Sequence, residues 1–217
     1  MSVKKKALFL GDYSDPAWHP AKDADQYICR ALKANFEVKC TEDYEKLALK
    51  ELKPYDLIIN YGDCWGKKCS KETVAAIITY VVNGGGILCI HNGIIVPVED
   101  GSELLQLFGG RFTGHSEYRQ LDYYKAIRYK EHPIMKDFKP FTMGEEPYQF
   151  EMDKLADIQM LVEYRLDGQR HPAVWARKFG LGRMVYLAPG HDNRSFAEPA
   201  FQKLITGSAE WLTGILD

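Results

Sequence analysis

Three histidines in this chain each close a glycine-rich or apolar run at what reads as a turn: Gly-Gly-Gly-Ile-Leu-Cys-Ile-His91-Asn-Gly, Gly-Gly-Arg-Phe-Thr-Gly-His115 and Met-Val-Tyr-Leu-Ala-Pro-Gly-His191-Asp192. An imidazole titrates near neutral pH, so such a ring can act as general acid, general base or metal ligand. If the three turns lie at one end of a parallel sheet, rings from distant parts of the chain meet where open α/β sheets place their ligands. His91 and His191 are then the candidate catalytic pair. A strand end followed by Asn92-Gly93 exposes the first, and Asp192 beside the second supplies a carboxylate that fixes an imidazole tautomer or serves as another acid/base. His115, after Gly109, Gly110 and Gly114, is expected on a flexible loop able to close over a ligand.

Glu145 and Glu146 precede Pro147 in a segment that also holds Tyr148 and Phe150. Carboxylates on hydroxyls and aromatic rings against an apolar face are how a protein holds a sugar. His115, Glu146, Trp18, Tyr118, Tyr148 and Asn92 are accordingly the candidate substrate-binding residues, with Trp65 in another loop and His19 a secondary candidate. The set His91, His115, His191 and Glu146 could instead hold a divalent ion, zinc by its preference for imidazole, with water activated at an open position. No short-range spacing such as His-x-x-x-His supports that set, so it depends wholly on folding. His132 and His171, each before a proline, read as turn residues, and Cys89 reads as strand packing rather than as a nucleophile.

These residues need a scaffold, and the hydrophobic pattern predicts one. Strands are expected at residues 6–10, 36–40, 55–61 and 87–90, separated by helices at 22–34, 43–52 and 73–82, the last capped by Ser70 and stopped by Asn83-Gly84. Strands alternating with helices imply crossover connections and a parallel sheet. After a helix at 102–108, strands are expected at 123–129, 158–166, 173–179 and 183–187, as antiparallel additions, before a final helix from Pro199 to Leu212. No repeat or low-complexity linker divides the 217 residues, which are expected to form one domain.

Composition excludes several classes. The 28 Lys and Arg residues nearly balance 30 Asp and Glu, so nothing electrostatic points to nucleic acid or an anionic membrane, and Lys4 to Lys6 read as a solvated start. Ala7 to Leu10 is too short for a signal-peptide core or a membrane span. The five cysteines are odd in number and irregularly spaced, with Cys64 and Cys69 in one loop. That fits neither a disulfide framework nor a paired zinc motif, so a reducing cytoplasm is expected. Gly84-Gly85-Gly86 precedes a strand instead of opening a helix, and neither a P-loop nor a Gly-x-Ser-x-Gly elbow is present.

Several segments together carry a family resemblance. They are Gly84-Gly-Gly-Ile-Leu-Cys-Ile-His91-Asn-Gly, Phe108-Gly-Gly-Arg-Phe-Thr-Gly-His115, His132-Pro-Ile134, Glu145-Glu146-Pro-Tyr148, Pro172-Ala-Val-Trp-Ala-Arg177 with Gly180-Leu-Gly-Arg183, and Gly190-His191-Asp192 leading to Phe196-x-x-Pro199-x-Phe201-Gln202. In this order they resemble the ThuA-like (trehalose utilisation) family, which shares the fold of class I glutamine amidotransferases. The resemblance implies a flavodoxin-like three-layer α/β sandwich with its pocket over the strand ends, and a role in sugar metabolism. In the amidotransferases the turn after the equivalent strand carries a nucleophilic cysteine, and a late His-x-Glu completes the triad. Here that turn offers His91, and the late segment reads His191-Asp192-Asn193, so glutamine hydrolysis is not expected. The expected function is His-centred acid/base chemistry, as a hydrolase or isomerase, on a carbohydrate or sugar-derived small molecule. A non-catalytic binding module and a zinc-dependent hydrolase are the alternatives, and a homo-oligomer stays open.

Overall fold

The computed structural model of the chain describes residues 3–14, 16, 18–44, 47–62, 70–95 and 102–217. Cys64, Trp65 and Cys69, singled out above, lie outside the described residues. Five strands run parallel: β1 (Lys5–Gly11), β2 (Phe36–Thr41), β3 (Leu57–Tyr61), β4 (Gly86–Ile90) and β11 (Gly182–Leu187). Four more continue the same sheet antiparallel: β6 (Arg119–Lys125), β7 (Phe141–Glu145), β9 (Gln159–Leu166) and β10 (Gln169–Phe179). The nine strands lie in the order β2-β1-β3-β4-β11-β10-β9-β6-β7. A separate two-stranded ribbon pairs β5 (Gly110–His115) with β8 (Tyr148–Met152).

Helices α1 (Ala24–Leu32), α2 (Leu49–Leu52), α3 (Lys71–Val82), α4 (Ser102–Phe108), α5 (Asn193–Ala197) and α6 (Pro199–Leu212) cover the sheet. None of the described helices is long and apolar enough to cross a membrane. Because both sheet faces are covered, the central strands read as unbroken apolar runs whose alternate residues feed two cores. Along β4, Leu88 and Ile90 join Phe9, Ile28, Phe201 and Trp211 on one face. Ile87 and Cys89 join Leu10, Ile77, Phe108 and Trp175 on the other. This is the three-layer α/β sandwich expected from the sequence, with antiparallel additions in the second half. Ser70 caps α3 by accepting from the Thr73 amide at 3.1 Å, as its position predicts.

The second half departs from expectation in register and direction. β11 is not an antiparallel addition: it is the fifth parallel strand, paired with β4 from Arg183↔Gly86 to Leu187↔Ile90. The strand expected at 123–129 is β6, shifted to Arg119–Lys125, because its buried positions Leu121 and Tyr123 alternate with exposed Gln120 and Asp122. β5, β7 and β8 were hidden by glycines and by the Glu-Glu-Pro turn. His115 is therefore not on a flexible loop but is the last residue of β5, opposite Tyr148. His171 lies within β10, stacked on Tyr164, rather than in a turn.

Direction matters for the site. Counting outward from β11, alternate antiparallel steps return β7 to the orientation of the parallel strands, so its last residue, Glu145, emerges at their carboxyl edge. There Glu145 is fully buried and accepts from the amides of Gly190 at 2.8 Å, His191 at 3.2 Å and Glu146 at 3.1 Å, and from the Ser195 hydroxyl. One carboxylate thus ties the far antiparallel edge to the turn after β11. A second tie joins β3 to the turn at His91–Ile94: Asn60 Nδ2 donates to the Gly93 carbonyl at 2.6 Å.

Both ties are testable. A Cβ at position 93 would sit 2.2 Å from the Asn60 carbonyl oxygen, so Gly93→Ala should cost about 1–3 kcal/mol in urea unfolding through overpacking. Burial pushes Glu145 up to about 7, against the pull of its four hydrogen bonds. Its folded-state pKa thus lies above that of the unfolded chain, and its contribution is full at acid pH and lost as pH rises through 7. With chelator present, the wild type should lose on the order of 3 kcal/mol between pH 4 and 8 relative to Glu145→Gln. Parallel pH profiles for the two proteins would show that folding leaves the carboxyl's pKa unshifted.

Candidate functional site

The chain leaves β4 through His91, which takes a left-handed backbone conformation (φ +48°) rare for a residue with a side chain, and enters the tight turn at His91–Ile94. Tyr186 on β11 donates its hydroxyl to the His91 carbonyl at 2.9 Å, which helps hold this conformation. The ring is wholly buried, and Nδ1 lies 2.7 Å from the Ala188 carbonyl oxygen just beyond β11. A carbonyl only accepts, so Nδ1 carries the proton and Nε2 presents its lone pair. Burial drives the His91 pKa down to about 4, overcoming the opposing effect of Glu146, so the ring is neutral at pH 7.

Nε2 of His91 faces the Glu146 carboxylate at 3.6 Å without a hydrogen bond. Glu146 begins the turn between β7 and β8, with the Tyr148 amide folded back on its carbonyl at 2.9 Å. His191, placed by Gly190 (φ +133°) after β11, brings Nδ1 to 3.2 Å from the same carboxylate oxygen. Burial lowers the His191 pKa while Glu146 opposes the shift. Burial raises Glu146 in turn, but His91, His191 and His115 outweigh it and hold its carboxyl below the ordinary value.

A third ring comes from the loop after β1. Asp12 bridges Pro20, and the Ala21 amide donates to the Asp12 carbonyl at 2.8 Å, which folds buried His19 over the same edge. Its ring centre is 4.8 Å from that of His91 and 5.3 Å from that of His191. One ligating atom from each of His19, His91, His191 and Glu146 lies within 4.8 Å of all the others. Side-chain exposure rises from 0% at His91 through 17% at Glu146 and 26% at His191 to 40% at His115, so the cluster opens in one direction.

The other sequence-predicted residues divide between wall and scaffold. Tyr148 packs against His91, tilted by 30° with ring centres 3.9 Å apart, and stacks with His115 at 5.6 Å. His115 stands at the rim, with Nδ1 3.1 Å from the Ser116 carbonyl and 3.8 Å from Glu146. Tyr118 also lines the rim, 5.9 Å from the His191 ring and covered by the Arg194 guanidinium. Asn92 is buried, its Nδ2 3.5 Å from the Tyr61 carbonyl, and Trp18 is 79% exposed.

Asp192 is not spent on an imidazole: it caps α5 by accepting from the Arg194 amide at 2.8 Å and pairs with the Arg194 guanidinium. The tautomer-fixing role expected of Asp192 falls, for His91, to the Ala188 carbonyl, while Glu146 is the carboxylate that meets the rings. Cys89 is sealed in the apolar core, where burial pushes its thiol far up, so it packs and does not attack. His132 accepts from the Ile134 amide and is remote from the cluster, against the Trp211 ring.

The main residue underweighted by the sequence reading is His19. The available signal was its place: in a doubly wound fold, any residue just past β1 lies at the carboxyl edge. A cavity of about 580 Å³ lies at the opposite edge, between Lys5, Asp56, Tyr80 and Arg183, with none of these histidines in its wall.

With the geometry in hand, the comparisons are specific about fold. A ThuA-like protein of Parabacteroides merdae superposes with a TM-score of 0.81 at 19% identity, over 97% of this chain and 90% of that one. One from Bacteroides uniformis gives 0.79 at 21% identity, over 96% and 91%. A cytoplasmic protein of Salmonella typhimurium LT2 gives 0.69 at 17%, over 98% and 100%. At such identities the likeness is one of fold alone. No curated protein matches the chain. The family model described as ThuA, trehalose utilisation, matches residues 11–212, a span that holds every strand end contributing to the cluster, and the chain belongs to that family.

Proposed function

We propose that this protein is an enzyme that acts on a carbohydrate or sugar-derived small molecule at the cleft formed by His19, His91, His191 and Glu146. The observation that carries this reading is the convergence of three imidazoles, from three separate strand ends, on one carboxylate that opens toward solvent. Such a centre withdraws or returns protons at a hydroxyl or carbonyl, and the thiol of Cys89, which lies in the core, takes no part in it. Glu146 and the more exposed His191 face the substrate side and exchange protons with it. His91, neutral and held by Ala188, keeps a lone pair turned toward the reacting group. His115 and Tyr118 at the rim bind hydroxyls, and Tyr148 offers an aromatic surface to a ring. The family's association with trehalose utilisation supports a sugar over other small molecules.

The test is turnover of a panel of disaccharides, trehalose included, and of monosaccharides, followed by NMR of the products. Glu146→Gln and His191→Asn should each lower kcat by roughly 10²- to 10⁴-fold, the usual worth of a positioned acid or base, with ligand binding retained. Cys89→Ala should leave kcat unchanged. Saturable sugar binding with no turnover by the wild type would make the protein a binding module on the same scaffold instead.

A further inference from the structure

We infer that His19, His91, His191 and Glu146 form a binding site for one transition-metal dication of the zinc class. The inference rests on the functional reading above for the cleft and names a cofactor for it; with the ion bound, His91, His191 and Glu146 would serve as its ligands in place of the acid/base roles given them there.

His91 supplies the first argument. Its Nδ1–H is committed to the Ala188 carbonyl, which leaves an Nε2 lone pair aimed inward from a fully buried ring. Across 3.6 Å stands a carboxylate oxygen, so two electron-rich atoms face each other with no hydrogen bond between them. Burying such a pair is costly unless a positive centre lies between them. His191 repeats the arrangement, with Nδ1 buried, 3.2 Å from the same oxygen and likewise without a hydrogen bond. A dication answers both.

The donor set supplies the second. Three imidazoles and one carboxylate, with ligating atoms within 4.8 Å of one another, suit a four-ligand site that small side-chain movements would close. Imidazole selects zinc, copper, iron or nickel over magnesium or calcium. The backbone carbonyl behind His91 is the outer-shell partner a metal-binding histidine ordinarily has. Glu145 adds rigidity, because it holds the amides of His191 and Glu146, two of the four ligands, on one buried carboxylate.

This set differs by one residue from the one read off the sequence. His19 replaces His115, whose Nδ1 lies toward the Ser116 carbonyl and which approaches Glu146 only from the rim, 40% exposed. Being on the open side, His115 would contact a bound small molecule and not the ion.

Metal binding can be read without any substrate. Full-length protein, stripped with chelator and dialysed, is titrated with Zn²⁺ against a competing indicator, and with Co²⁺ by its visible absorption. One ion per chain is expected. Glu146→Gln, His191→Asn and His19→Ala should each weaken Zn²⁺ binding by more than about a hundredfold, beyond what loss of an outer-shell partner causes. His115→Ala should leave it within a few-fold.

His91→Asn, at a wholly buried position, is read on protein of native circular dichroism and should weaken Zn²⁺ binding by the same margin. The wild type's melting temperature must also rise with added Zn²⁺. Absence of stoichiometric binding, or affinity that survives both Glu146→Gln and His191→Asn, overturns the site. Loss dependent on His115 but not His19 overturns this ligand set. Sugar turnover by protein that binds no metal would leave the functional reading standing alone, while stoichiometric metal without turnover on any sugar would do the reverse.

Discussion

The hydrogen bond from His91 Nδ1 to the Ala188 carbonyl is the interaction on which the candidate site turns. It spans the ends of two adjacent parallel strands, β4 and β11, whose pairing from Gly86 to Ile90 fixes the distance between them. The same bond sets the imidazole tautomer, and the tautomer decides that a lone pair, not a proton, meets Glu146. The left-handed backbone at His91 is the local cost of placing a ring there, on the order of 1–3 kcal/mol. It is offset by the Tyr186 hydroxyl on the His91 carbonyl and by the Asn60 clamp on Gly93. Backbone strain at a strand end, held on several sides, is the arrangement expected where geometry serves chemistry.

Two neighbouring carboxylates show how environment divides labour along a chain. Glu145 is wholly buried and hydrogen-bonded only to amides and a hydroxyl, and burial raises its pKa. Glu146, one residue on, turns outward among three imidazoles, and their influence overcomes its burial. The first holds the Gly190-His191 turn against the end of β7, and the second meets the rings that the turn delivers. Neither role is possible without the antiparallel half of the sheet. Four strands beyond β11 bring the chain back in the right direction for a β7 carboxylate to reach a β11 loop.

Much of the fold was legible because buried parallel strands cannot hide. Lys5–Gly11, Leu57–Tyr61 and Gly86–Ile90 are apolar runs with both faces covered, and Ser70 and Pro199 mark helix starts by their own chemistry. The convergence of His91 and His191 followed from topology alone. The rest was not local. β5 and β7 contain glycines, and β8 follows the Glu-Glu-Pro turn, so their strand character comes from partners far along the chain. Asp192 could not be assigned from its position beside His191, because a helix amide and Arg194 compete for its carboxylate. His19 owes its place to the bridge between Asp12 and Pro20, which no periodicity announces.

The residue type at the turn after β4 limits what the scaffold can do there. A thiol at the turn after β4 would need a base beside it and open access to an acyl group. This chain puts an imidazole there and keeps the thiol of Cys89, two residues earlier, among Trp175 and Tyr186 in the core. An imidazole whose Nδ1–H is committed to a carbonyl presents the lone pair of Nε2, so it meets Glu146 as an acceptor and not as a donor. The carboxylate and the two further rings complete the cluster, all supplied by turns and loops at the carboxyl edge of the sheet. Parallel strands position that edge whatever residue ends them, so one scaffold can present different end residues there.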